Sequence, residues 1–258
     1  MTFRNPLVFL TPLVVACKAP PQAPAKLEEL ATYIFQHMGD EEPDALEAGV
    51  ANLDVWLSDN IESAREGYTV SKLSAKAMED VGVDAKFAEN LVGAAVATNL
   101  PKSPKSVTKT LVTADLTRVY PDTYTVYERD WVEGAGCFHT QECDLATLKA
   151  HTVSQYPLSV EVTSDFKAEY RWIEMDRGLA MVQRTWLRKP AEVSADWLSV
   201  PAQFFISVNF PQNGATLRLQ TTWIAAELGD SPIPEATALN MVIDSMVTGD
   251  EELTEWMQ

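Results

Sequence analysis

The sequence predicts an α+β protein, in which a small N-terminal helical bundle is followed by a curved antiparallel β-sheet domain with a C-terminal amphipathic helix. Up to residue 99, apolar residues recur at spacings of three and four, as in helices that bury one face. Farther along, alternation of apolar and polar residues dominates, which is typical of strands with one buried face. A last helical stripe, from about residue 235 to 248, would cover such a sheet.

The composition limits the classes of function. The chain has 258 residues, a net charge of −17 and 46% apolar residues, enough for one large domain or two small ones. Because nucleic-acid binding requires a basic surface, the charge argues against a nucleic-acid partner. Residues 27–99 contain 15 acidic and 4 basic side chains, which we interpret as solvated helix faces. Binding of cations or of a basic partner is the alternative interpretation.

Four helices are predicted in the acidic region 27–99, and they would form the bundle. Pro43 suits the first turn of the second helix, and Asp84 suits the N-cap of the fourth. The predicted ranges are Lys26–Met38, Pro43–Glu66, Ser71–Val81 and Ala85–Asn99. The prolines and lysines of Leu100–Ser106 predict a linker, so a β domain is expected over residues 100–258.

The β domain is predicted to be a meander of strands. Leu158–Trp172 alternates most clearly, and because it is long for one strand, a turn is expected at Thr163–Asp165. Asn213-Gly214 is the strongest hairpin signal, and Gly249 is expected to end the last helix before a short terminal turn. The other strands are predicted over Val107–Val119, Thr123–Val132, Leu179–Arg188, Gln203–Phe210 and Ala215–Ala226.

This order of elements resembles the helix-grip (START-like) fold, although an incomplete barrel of another kind fits nearly as well. The resemblance implies a cup for apolar ligands. Aromatic and apolar residues of the inward parities would line that pocket, and core packing is the alternative role for them. The predicted lining residues are Phe166, Tyr170, Trp172, Phe204, Val208 and Trp223.

The N-terminal residues suggest export. Arg4 precedes the apolar run Leu7–Ala16, which is too short to cross a bilayer but has the length of a signal-peptide core. Residues 14–17, Val-Val-Ala-Cys, resemble the lipobox of bacterial lipoproteins. The resemblance implies that residues 1–17 contain the signal, that Cys17 carries lipid, and that the membrane is a partner through this anchor. Lys18, in place of an aspartate, points to the outer membrane of a bacterial envelope. A buried strand in a cytosolic protein and a soluble secreted form are the alternatives.

Residues 18–26 are rich in proline and are expected to form a semi-extended tether. Beyond it, Cys137 and Cys143 lie in one short loop, and in an exported protein such a pair predicts a disulfide. Zinc held by these cysteines with His139 and His151 is the alternative, although the spacing matches no common structural site.

No catalytic, phosphate-binding or zinc-protease motif occurs in the sequence. We therefore expect a lipid-anchored, non-catalytic envelope protein without cofactor or metal, whose β domain binds an apolar small molecule or another envelope protein. An envelope hydrolase acting on lipid or glycan is one alternative. A structural protein-interaction module is the other.

Overall fold

A computed structural model describes residues 22–156, 159–227, 229 and 235–258. The lipobox cysteine Cys17 and residues 18–21 of the predicted tether lie outside these residues. No helix within the described ranges is long and apolar enough to cross a membrane. The elements of the N-terminal part are α1 (Leu27–His37), α2 (Asp44–Glu66), β1 (Tyr68–Thr69), α3 (Ala75–Glu79) and a 3₁₀ helix (Ala85–Asn90).

The rest of the described chain alternates two short helices with the main strands and ends in a long helix. These elements are β2 (Val92–Leu100), α4 (Pro104–Thr113), α5 (Leu116–Val119), β3 (Tyr124–Glu133), β4 (Leu145–Tyr156), β5 (Val160–Met175), β6 (Gly178–Leu187), β7 (Glu192–Val193), β8 (Ser199–Gln212), β9 (Ala215–Glu227) and α6 (Glu235–Met257).

All strand pairs in the sheet are antiparallel. The order is β1-β2-β9-β8-β6-β5-β4-β3, and the short β7 pairs with β5. The sheet curves and stays open, because no pairing joins β3 to β1 or β2 in the described residues. The predicted α+β class, with a curved antiparallel sheet and a C-terminal helix, is confirmed.

Helices cover both faces of the sheet. We call the face that packs on α1 and α2 the outer face, and its core includes Phe35, Phe204 and Trp223. The opposite, inner face packs on α4, α5 and α6, and its core includes Tyr170 and Leu253. The sequence analysis expected the last helix to cover the sheet, but the N-terminal helices provide a second layer.

Two segments fold differently from the prediction because the spacing of their apolar residues does not match the element that they form. Residues 92–100, predicted to end the fourth helix, form β2, which pairs with β9. Both faces of β2 are buried, with Ala94 and Val96 on one side and Ala95 and Ala97 on the other, so alternation is lost.

Residues 104–119, predicted as linker and strand, form α4 and α5. The Ser103 hydroxyl caps α4 by accepting from the Ser106 amide at 3.4 Å, and Pro104 occupies the first turn. Val107 and Leu111, one turn apart, are buried. The many threonines of this segment favour strands locally, and tertiary burial of one helical stripe overrides that preference.

Two boundaries and one additional strand also differ from the prediction. β5 continues through the expected turn at Thr163–Asp165, because it pairs with β4 along that stretch. The strand β4 itself had not been predicted. α6 passes through Gly249 to Met257, since Asp250 and Leu253 beyond the glycine are buried against the sheet and hold the helix in place.

Candidate ligand-binding site

The strand register determines which side chains share the inner face. Tyr170 of β5 is paired with Gln183 of β6, which is paired in turn with Ser207 of β8. Ser207 is paired with Gln220 of β9. Because directly paired residues point to the same side of a sheet, a polar row crosses the inner face. This row would not be expected on a face that only forms a core.

The six residues predicted to line one pocket lie on opposite faces. The alternation within each strand is as expected. The register between strands, however, places Tyr170 in the same cross-strand row as Ser207, so Tyr170 and Val208 lie on opposite faces of the sheet. Alternation within a strand does not reveal which face its neighbour's apolar set occupies. A single pocket lined by all six is therefore wrong. Phe166, Tyr170 and Trp172 are on the inner face, and Phe204, Val208 and Trp223 are on the outer face.

Asp250 of α6 is the centre of a buried polar network on the inner face. Its carboxylate accepts from Arg218 Nη1 at 2.6 Å and from Gln220 Nε2 at 2.8 Å, and also from the Thr98 hydroxyl. Arg218 Nε donates to Ser207 Oγ at 3.1 Å. The side chains of Arg218 and Asp250 are only 7% and 4% exposed, so the two charges are paired almost out of water.

Four tyrosines lie beside this network. Tyr120 follows α5, Tyr124 and Tyr127 belong to β3, and Tyr170 belongs to β5. Ring centroids are 5.9 Å apart for Tyr120–Tyr124 and 5.0 Å apart for Tyr124–Tyr127. Burial raises the pKa of all four hydroxyls, and near Tyr120 the Arg218 guanidinium partly opposes that rise. The four groups are therefore neutral hydroxyls that can both donate and accept hydrogen bonds.

The middle of the inner face has an aromatic wall that remains partly exposed. In the described chain, α6 packs mainly on β2 and reaches β9 through Met246 and Asp250. Across from it, the rings of Phe166 and Phe205 meet edge to face with centroids 6.1 Å apart. Both phenylalanines and Tyr127 are half-buried. An apolar concave surface with a few polar groups at one end is the usual form of a small-molecule site.

The sequence analysis missed most of this site. Arg218 and Gln220 belong to the polar parity of β9, which was taken to face solvent, and Asp250 lies beyond the expected end of the last helix. The sequence of β9 did contain a signal that both of its faces are buried. Between Ala215 and the terminal Glu227, Arg218 is the single charged residue among the polar ones. A strand whose polar face lacks charge can be buried on both faces.

The cysteine loop closes one end of the inner face. Cys137 and Cys143 form a disulfide with Cα atoms 5.4 Å apart, which confirms the predicted bond. Phe138 inside the loop stacks on Trp172 at 5.3 Å, and the indole N–H donates to the Phe138 carbonyl at 2.9 Å. Since both sulfurs are bonded to each other, the zinc alternative is wrong. The described residues contain no group of three or more metal-ligating side chains.

Two histidine–aspartate pairs lie at the surface. Nδ1 of His37 is 2.6 Å from Asp40 Oδ2, and Nδ1 of His151 is 2.8 Å from Asp165 Oδ1. Within the described ranges, no serine, threonine or cysteine is hydrogen-bonded to either imidazole. These pairs therefore lend no support to the hydrolase alternative, which requires a nucleophile beside its base.

No protein-family model matches the chain, and no curated protein matches it. It is similar to the solved STAR-related lipid transfer protein of Xanthomonas axonopodis, with 15% identity, coverage of 64% of this chain and 85% of that one, and a TM-score of 0.43. It is also similar to a START superfamily protein of Mycobacterium smegmatis, with 8% identity, coverage of 63% of this chain and 94% of that one, and a TM-score of 0.40.

The human StarD13 lipid transfer and protein localization domain gives 11% identity, coverage of 80% of this chain and 96% of that domain, and a TM-score of 0.41. Because identities and TM-scores are this low, we describe the fold from its own topology. The functional conclusion below is likewise drawn from the residues of this chain.

Proposed function

We propose that the protein binds an amphipathic small molecule on the inner face of its sheet, while a lipid on Cys17 holds it in the bacterial envelope. The observation that carries the first part is the half-buried aromatic wall of Phe166, Phe205 and Tyr127 next to a buried polar network. A core face would bury such rings fully, because a half-buried ring forgoes part of the roughly 1.5–3 kcal/mol that full burial of a large apolar side chain gives.

The chemistry of the site specifies the two ends of the ligand. An apolar or aromatic body would contact Phe166 and Phe205, displacing water from their exposed edges. Its polar end would lie at Tyr120 and Arg218. Because Asp250 already neutralises Arg218, a neutral hydroxyl or carbonyl group suits this end, whereas an added charge would be buried without a partner.

Binding should depend on the inner face alone. In native mass spectrometry of the full chain mixed with an envelope lipid extract, we expect a retained molecule. Phe205→Ala should reduce retention about tenfold or more, since it removes a contact worth roughly 1.5–3 kcal/mol. Val55→Ala, which truncates a 65% exposed side chain on α2, is the matched control and should retain the wild-type amount.

Two results would contradict the binding proposal. Either the wild-type chain retains nothing from the extract, or Phe205→Ala and Val55→Ala retain equal amounts. The first result would favour the interaction-module alternative. Circular dichroism of both variants checks that a loss of binding is not a loss of folding.

The anchoring part has its own test. The motivation is the short apolar run that ends at Ala16 before Cys17. Mass spectrometry of the protein from bacterial membranes should show two or more acyl chains on Cys17, because one chain alone gives only marginal binding. The Cys17→Ser variant should lack the acyl groups, and a smaller proportion of the protein should be found with membranes. An unmodified Cys17 in the wild type would refute the anchor and leave the ligand site unaffected.

A further inference from the structure

A groove of about 540 Å³ lies between α4 and the C-terminal end of α6. It shares no residue with the inner-face site described above. Three features distinguish its lining: basic side chains, hydroxyl groups and two large apolar residues. The lining includes Lys102, Ser106, Lys109, Thr113, Trp256 and Met257.

The α4 wall of the groove is basic, although the protein as a whole is acidic. Residues 101–121 carry four basic side chains and one acidic one, whereas residues 249–258 on the α6 wall carry four acidic side chains, of which Asp250 is paired with Arg218. Lys102 and Lys109 of the lining are exposed, and the Arg118 guanidinium stacks over the Trp256 ring at 5.4 Å. These lysines offer an anionic partner direct contacts along α4, and the acidic α6 wall restricts that attraction to short range.

The apolar side chains of the groove indicate the nature of that partner. Trp256 is 41% exposed next to the lysines. An exposed indole among lysines fits the boundary between head groups and acyl chains, where Trp is enriched and long basic side chains reach the phosphates. We infer that this groove rests on a lipid surface that contains anionic head groups, with its lining residues Lys102 and Lys109 at the phosphates.

The first described residues lie near the turn between β5 and β6, at the end of the sheet that also carries the groove. Asn52 of α2 donates to the carbonyls of Ala23 and Pro24 at 3.0 and 2.8 Å. Two residues on, Asp54 binds Arg177 in the turn between β5 and β6. Residues 23 and 24 of the tether are therefore held beside the part of α2 that contacts the β5–β6 turn.

The same end carries the groove. Gly178, which follows Arg177, lies beside Pro211 of β8, and Pro211 is paired with Thr216 of β9. The Thr216 hydroxyl donates to the Lys102 carbonyl at 2.7 Å. Cys17 precedes Gln22 by five residue steps, so at no more than about 3.6 Å per residue the proposed anchor lies within about 18 Å of Gln22. The inference rests on the proposed anchoring, because the lipid on Cys17 would bring this end toward the bilayer.

The test attaches the full chain to vesicles in a way that does not depend on natural acylation. Because the other two cysteines are bonded to each other, Cys17 of unprocessed protein can be coupled to a maleimide phospholipid. The vesicles are phosphatidylcholine with or without roughly one-third phosphatidylglycerol, which supplies the negative surface potential. Acetylation rates of individual lysines are then measured by mass spectrometry.

Lys102 and Lys109 should each be acetylated about fivefold more slowly on the anionic vesicles, the factor for roughly 1 kcal/mol per lysine at such a surface. Lys72 and Lys76, exposed near and on α3, are the controls and should react equally on both vesicles. Equal rates at the groove lysines, or protection of the control lysines instead, would overturn the inference. Protection by inorganic phosphate on neutral vesicles would assign the groove to a free anion and would also overturn it.

A second measurement tests contact with the acyl chains. Trp256 and Trp197 are 41% and 39% exposed, so they form a matched pair. With brominated acyl chains in the anionic vesicles, Trp256→Phe should abolish most of the fluorescence quenching, and Trp197→Phe should leave it in place. The reverse result would place the opposite end of the sheet on the membrane. Acylation of the wild-type protein is read separately, so failure of the anchor and failure of the groove are distinguishable.

Discussion

On the outer face of the sheet, Phe35 of α1 meets Phe204 and Trp223 edge to face, with centroids 5.7 and 5.8 Å apart. All three side chains are 0% exposed. On the inner face, one residue along from Phe204, the ring of Phe205 is half-buried and is paired with Thr185 and Thr222. The same strands therefore present a closed aromatic core on one side and an incompletely filled, partly polar surface on the other.

The difference shows which face stabilises the fold and which face is free to bind. Close packing of large side chains gives the greatest stabilisation, so the outer face with its N-terminal helices supports the sheet. The inner face keeps a buried ion pair, as the outer face does at Arg184 and Glu169, and adds four neutral tyrosine hydroxyls, which contribute less than an apolar core of the same volume. A local departure from good packing within a well-packed protein is expected at a functional site.

Substitution of adjacent phenylalanines tests this comparison with the largest expected effect. Phe204→Ala should lower the free energy of unfolding by about 3–5 kcal/mol, because it leaves a cavity in a fully buried core. Phe205→Ala should cost about 1 kcal/mol, since its ring is already partly in contact with water. Urea unfolding followed by circular dichroism measures both. Equal losses would show that the inner face is a core like the outer one.

A smaller effect is expected at the ion pair that borders the outer core. Arg184, 5% exposed, donates to the Phe35 carbonyl at 2.9 Å and to Glu169. Burial alone would raise the pKa of Glu169, but the Arg184 charge and hydrogen bonds from Arg184 and Lys167 outweigh burial and hold that pKa below its usual value. The carboxylate therefore contributes stability that is complete above the unfolded pKa of about 4.3 and is lost as the pH falls through the folded pKa.

Glu169→Gln should accordingly lower the free energy of unfolding by about 3 kcal/mol at neutral pH, because Arg184 loses its charged partner. The gap in unfolding free energy between wild type and variant should narrow as the pH falls through the folded pKa of Glu169, where the wild-type carboxyl becomes protonated as well. Urea unfolding at several pH values provides the measurement. A gap that stays constant with pH would mean that the ion pair does not stabilise the outer layer.

The smallest effect concerns the inner-face tyrosines and appears at high pH. Because burial raises the pKa of Tyr127, the folded chain holds this proton more tightly than the unfolded chain, whose phenols ionise near pH 10. Its contribution is complete below the unfolded pKa and is lost as the pH rises. Tyr127→Phe should reduce the alkaline loss of stability by about 1 kcal/mol. Equal alkaline losses of stability in the wild type and in Tyr127→Phe, measured by urea unfolding, would contradict this burial.

Local sequence was sufficient where polar and apolar residues alternate along an element. β9 and β6 were predicted closely, as was the Asn213-Gly214 turn, in which Gly214 has φ +83°. The disulfide followed from the closeness of its cysteines and from the predicted export. In each case the decisive information lies within a few residues of the chain.

Only the tertiary structure decided how these elements combine. β2 was not recognisable because burial on both faces removes the alternation that marks a strand. The inner site was not recognisable because it depends on the register between strands. That register places the polar residues Ser207 of β8 and Arg218 of β9 on the same face as the aromatic residues of β5, and it places the apolar residues of β8 and β9 on the opposite face. The sequence determines which side chains alternate along a strand, whereas pairing between distant strands determines which of them meet.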